Sequence, residues 1–79
     1  MIPLHGFLEG DTMGLVILAV PEDPVRSLLD KLCASAALRA PPPARARVMY
    51  GGRALELGAT IASVGFRPLD RFDVVGAAP

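Results

Sequence analysis

The sequence predicts an α+β domain: a sheet crossed on one face by a single main helix. Two observations carry this. One 3.6-period apolar stripe stands alone in the chain, between Val25 and Ala36. On either side of it lie short runs rich in Val, Ile, Leu and aromatics, punctuated by Gly and Pro, which read as strands. A length of 79 residues allows one domain, spanning 1–79.

Ile2 to Glu9 alternates weakly and runs into Gly10-Asp11-Thr12, after which Met13 to Val20 is densely apolar. Two such runs about a Gly-Asp turn predict a hairpin. Pro3 and Gly6 weaken its first strand, and Gly14 is read as a bulge. Asp23 is placed as the helix N-cap with Pro24 at the first helical position, where a missing N–H costs little. Val25, Leu28, Leu29, Leu32 and Ala36 form the buried stripe, and Pro41-Pro42-Pro43 forbids continuation.

The second half, Arg47 to Val75, reads as strand, tight turn, short strand, helical turn, loop and strand. Gly51-Gly52 supplies a turn with positive φ. Thr60 caps the turn Ile61–Val64, Gly65 ends it, and Arg71–Val75 is the last strand. Alternation in the strands sets Val48, Tyr50, Phe72 and Val74 toward the helix, and Met49 and Val75 away from it. In Met13–Val20 the same reasoning sets Val16, Leu18 and Val20 inward and Leu15, Ile17 and Ala19 outward.

Composition narrows the function. Hydrophobic residues make up 52% of the chain and charged residues 20%, with mean hydropathy +0.45. A domain this small buries only about 60% of what its unfolded chain exposes. Some of this apolar material therefore stays outside, as a partner surface. The expected surface comprises Phe7, Leu15, Ile17, Met49 and Val75, with Arg47 at its margin. The arginines at 39, 45, 47 and 53 form either a basic rim for an acidic partner or a solvated face.

Net charge is zero and Trp is absent, which argues against nucleic acid. The longest uncharged stretch, Thr12 to Pro21, is half the length of a spanning helix, and the N-terminus lacks the pattern of a signal peptide. One cysteine excludes an internal disulfide, so a cytoplasmic protein is expected. No catalytic, cofactor-binding or metal-binding residue is assigned. His5 is a lone histidine read as a surface residue, and Cys33 sits at the edge of the helix stripe without partners for zinc or thiol chemistry. The carboxylates Glu9, Glu22 and Glu56 are dispersed, with no Glu-x-x-His pair for iron.

From Arg47 to Val75 the pattern Arg-Val-Met-Tyr, Gly-Arg, Leu-Glu, Gly-x-Thr-Ile and the closing strand resembles the ubiquitin-like β-grasp proteins. That resemblance implies a mixed sheet in the order 2-1-5-3 with the helix on one face. It also marks the positions of Met49 and Val75 as a binding patch. More narrowly, Ile2-Pro3-Leu4-His5, Glu9, Asp11, Asp23, Asp30-Lys31, Arg39, Thr60-Ile61-Ala62, Gly65, Pro68 and Asp73-Val74-Val75 resemble the small γ (B-type) subunit of bacterial toluene and alkene monooxygenase hydroxylases. This implies a non-catalytic accessory subunit, not an enzyme on its own. Its partners would be larger hydroxylase subunits, and the di-iron centre would belong to one of them. The alternative is a free ubiquitin-like adaptor. A modifier or sulfur carrier dealing with conjugation machinery is disfavoured, because the chain ends Gly76-Ala77-Ala78-Pro79 rather than in Gly-Gly and has a single lysine.

Overall fold

A computed structural model describes residues 1–76. The tail 77–79, on which the expectation about conjugation partly rests, lies outside the described residues. In chain order the elements are β1 (Ile2–Leu8), β2 (Gly14–Ala19), α1 (Arg26–Ala36), β3 (Arg47–Tyr50), β4 (Arg53–Ala54), α2 (Ile61–Val64) and β5 (Arg71–Val75). The sheet order is β2-β1-β5-β3-β4. It contains the expected 2-1-5-3 and adds the two-residue β4 as an outer strand. β1 and β5 run parallel at the centre, and the other pairings are antiparallel.

The core lies between the sheet and α1. Leu28, Leu32 and Ala36 are buried from the helix, meeting Leu4, Leu8, Val48, Phe72 and Val74 from the sheet, with Ile61 of α2 closing one end. Full burial of a side chain of this size stabilises by about 1.5–3 kcal/mol. Gly6 faces this core from the middle of β1. A Cβ there would lie 2.7 Å from Cζ of Phe72 and 3.1 Å from Cδ1 of Leu32, so the glycine is what lets the Phe72 ring reach the helix. The sequence signal that weakens β1 as a strand is thus a packing requirement.

Three expectations need correction. Gly14 is not a bulge: it pairs in regular register with Phe7. It is small because the Phe7 ring lies over it, with Cε2 and Cζ each 2.6 Å from where a Cβ would stand. Asp23 is not the cap of α1. The helix starts at Arg26, with Val25 in helical conformation and no side-chain cap. Its first donors are satisfied by backbone instead: Val25 and Arg26 donate to the carbonyls of Ala59 (2.8 Å) and Leu57 (3.0 Å). In return Ile61 and Ala62 donate to the carbonyls of Asp23 and Pro21, both at 2.9 Å. Free N–H groups at a helix start need acceptors, and here a neighbouring loop supplies them. The third correction, the facing of β2, bears on the surface described next.

The shorter elements follow their sequence signals. Gly51 and Gly52 have φ of 60° and 83° in the β3–β4 turn. The Thr60 hydroxyl accepts from Ser63 N at 3.3 Å, and Gly65 closes α2 in the left-handed conformation. Asp70 organises the turn into β5: its carboxylate accepts from Arg67 N (2.9 Å) and from the Tyr50 hydroxyl (2.6 Å). The Tyr50 ring packs on Phe66 with centroids 4.5 Å apart.

Candidate interaction surface

The sheet face turned away from α1 is uncovered among the described residues. Strand alternation and the pairing register give its composition. Leu4, Gly6 and Leu8 point to the core, so Pro3, His5 and Phe7 point outward. His5 pairs with Val16 on one side and Arg71 on the other, and Phe7 with Gly14 and Asp73. Asp73 in turn lies beside Met49, and Val75 beside Arg47. Phe7, Met49, Val75 and Arg47 therefore share this outer face, as expected from the sequence.

Leu15 and Ile17 do not. They pair with Gly6 and Leu4, the inward residues of β1, and Ile17 is only 5% exposed. Ala19 is buried with them, while Val16 and Leu18 are 56% and 53% exposed. The expected facing of β2 is thus reversed. Because side chains alternate with a period of two, one residue of phase moves the whole strand to the other face. Phase was not readable from β2 alone: Leu15 to Ala19 is apolar on both faces. The loop fixes it, since Glu9–Met13 joins the strands so that Phe7 meets Gly14.

Arg71 and Asp73, at the centre of the face, are absent from the surface expected from the sequence. They follow from the alternation that turned Phe72 and Val74 inward. The Arg71 guanidinium lies over the Phe7 ring, 4.0 Å from its centroid, and its Nε donates to Asp73 Oδ1 at 2.9 Å. The pairing with Asp73 raises the Arg71 pKa further. This ion pair is solvent-exposed and adds little to stability. Its effect is to hold the cation over an aromatic ring, a preorganised combination of the residue types that dominate interface energetics. Two shallow depressions flank it, one lined by Met49, Gly51 and Gly52, the other by Phe7, Gly10 and Val75.

The arginines separate into two groups. Arg39 is not available as a rim residue: it holds the Asp11 carboxylate through Nε and Nη2 at 2.9–3.3 Å. The Asp11 side chain is 3% exposed and also accepts from Met13 N at 3.3 Å, so the pair ties the hairpin loop to the segment after α1. The guanidinium holds the Asp11 carboxyl below the usual carboxylate range. Arg45, Arg47 and Arg53 are exposed.

Among the described residues no group of three His, Cys, Asp or Glu side chains is placed to hold a metal ion, and no helix is long and apolar enough to cross a membrane. Cys33 is partly buried, and that burial raises its thiol pKa, which disfavours the reactive thiolate.

A mixed five-stranded sheet with a central parallel pair, one long helix on one face and a bare opposite face defines a ubiquitin-like β-grasp domain. The ubiquitin of Caldiarchaeum subterraneum is one such structure: identity is 26%, the TM-score 0.78, and the match covers 99% of this chain and 95% of that one. A chain of the ATBAG1 complex with HSP70 shares the fold at 13% identity and TM-score 0.76, over 96% of this chain and 40% of its own. Within that class the chain belongs to the toluene-4-monooxygenase system protein B (TmoB) family, whose model matches residues 1–75. A chain in a structure of the toluene 4-monooxygenase HD complex with the inhibitor 4-bromobenzoate superposes with TM-score 0.85, covering 96% of this chain and 98% of that one at 24% identity. No curated protein sequence is significantly similar to this one.

Proposed function

We propose that the protein is a non-catalytic accessory subunit of a toluene- or alkene-type monooxygenase hydroxylase, docked on the large subunit. The family match over residues 1–75 carries this reading. The absence, among the described residues, of any carboxylate–histidine grouping for iron supports assigning the di-iron centre to a partner chain, with no cofactor on this one. The outer sheet face supports the mode of docking: Phe7, Met49 and Val75 supply apolar contact, with Arg71 and Arg47 beside them. Neither nucleic acid, nor a membrane, nor conjugation machinery has a part in this reading. A single free cysteine suits the cytoplasm.

The test is co-expression of a tagged copy with candidate hydroxylase chains from its source organism. Stoichiometric recovery with an iron-containing large chain is expected. Isolation of that hydroxylase at full activity and stability without this chain overturns the role. Recovery on an unrelated protein favours a free adaptor instead.

A further inference from the structure

The sheet has one long open edge, and it lies apart from the Phe7–Arg71 centre. The β1–β5 register directs the backbone groups of His5 and Phe7 to β5, so Leu4 and Gly6 bond to Ile17 and Leu15 of β2. The intervening residues, Val16 and Leu18, therefore aim their N–H and C=O groups outward. Among the described residues β2 pairs only with β1. One of these outward groups is occupied: Lys31 of α1 reaches over the edge and donates its Nζ to the Leu18 carbonyl at 2.8 Å.

Below the edge, a shallow, open groove runs between the rims of β2 and α1. This groove, about 510 Å³, is lined by Met1, by Val16, Ile17 and Leu18 of β2, and by Lys31, Ala34 and Ser35 of α1. It is open because α1 presents small side chains here. Val16 and Leu18 are over half exposed on the outer face, and Ile17 and Ala34 line the helix side, so apolar side chains flank the edge on both faces. Unpaired edge groups flanked by apolar side chains on alternate faces accept an added strand.

We propose that the β2 edge and the β2–α1 groove receive an extended strand of a partner chain, apolar at alternate positions and carrying a carboxylate beside Lys31. A strand that pairs with Leu18 displaces the lysine from its carbonyl, and an ammonium left at the rim of an apolar groove is satisfied by an acidic residue. The same charge argues against a second copy as the occupant. Antiparallel β2–β2 pairing about a two-fold axis at Ile17 displaces two lysines at one seam and brings like charges together, and β2 itself carries no acid to meet them. The inference rests on the accessory-subunit reading for the source of the strand, the large hydroxylase chain.

The test compares incorporation of variants into the co-expressed hydroxylase. Val16→Pro removes an outward N–H and blocks strand addition while leaving the β1 pairing intact. Lys31→Glu reverses the charge, and circular dichroism checks that each variant is folded. Both are expected to lower incorporation roughly tenfold, the loss of one well-made interface contact. A folded Lys31→Glu variant recovered at wild-type yield overturns the acidic strand. It does so without touching the accessory-subunit reading, which fails only if the wild-type chain is not recovered with the hydroxylase. A homodimer of the purified chain that Val16→Pro dissociates also overturns the proposal, in favour of pairing between copies.

Discussion

Gly6 sets the packing of the core, because it is the point where a central strand yields space to Phe72. Both Phe72 and Leu32 are fully buried, so neither can swing aside to admit a methyl group. Gly6→Ala is expected to destabilise by about 1–3 kcal/mol, the usual range for overpacking a filled core. Urea unfolding should show a lower midpoint with an unchanged slope. The Tyr50–Asp70 bond makes a second prediction at this scale. Donation from the Tyr50 hydroxyl, and then from Arg67 N, lowers the Asp70 pKa. A carboxyl with a depressed folded pKa contributes stability above its unfolded value, about 3.9, and loses that contribution as pH falls through the folded value. The bond raises the Tyr50 pKa, so the same contribution also fades as pH climbs through the raised phenol value. Tyr50→Phe should therefore flatten both limbs of the stability–pH curve. A variant with the acid limb of the wild type would show that the bond does not persist in solution.

Among the elements, β5 and β2 show what determines legibility. In β5 the residues alternate Arg71, Phe72, Asp73, Val74, so polarity alone reveals which face is buried. The same holds in β3, where Arg47 precedes the buried Val48. These two strands made Met49, Val75 and Arg47 readable as outward residues. β2 offers no such contrast: both its faces are apolar, one because it enters the core and the other because it stays exposed. Only the loop geometry and the positions of Gly6 and Gly14 discriminate, and each depends on a ring from another strand. The Asp11–Arg39 pair was out of reach for a related reason, since 28 residues separate its members. The start of α1 was misread because its acceptors come from the loop before α2. The register of β2 is checked by paired substitutions. Ile17→Ala should cost about 2–5 kcal/mol, as for other buried aliphatic truncations. Val16→Thr, on the exposed face, should stay within about 0.5 kcal/mol of wild type. The reverse order in thermal unfolding would mean that the hairpin is shifted by one residue.

For the whole molecule the hydrophobic excess is now accounted for by place. One layer of helix covers one face of the sheet, and the described residues leave the other face bare. Apolar side chains consequently remain on the outer face and along the β2 edge, interleaved with Arg71, Asp73 and Arg47. Arg71 and Asp73 are already paired with each other, so covering this mixture costs less than burying two unpaired charges. Met49 tests whether the outer face serves docking. It sits across from Asp73, so an acidic substitution would set two carboxylates side by side and weaken the sheet itself. Lysine avoids that confusion: its ammonium can pair with Asp73, and the stem still covers the strand. Met49→Lys is therefore expected to shift stability by no more than about 0.5 kcal/mol. It should also lower the affinity for the large hydroxylase chain at least about tenfold, by leaving a hydrated charge where an apolar contact belongs. Calorimetric titration of the variant against hydroxylase depleted of this subunit gives the affinity, and urea unfolding of the free chain gives the stability. Wild-type affinity in a stably folded Met49→Lys protein would remove this part of the outer face from the docking surface.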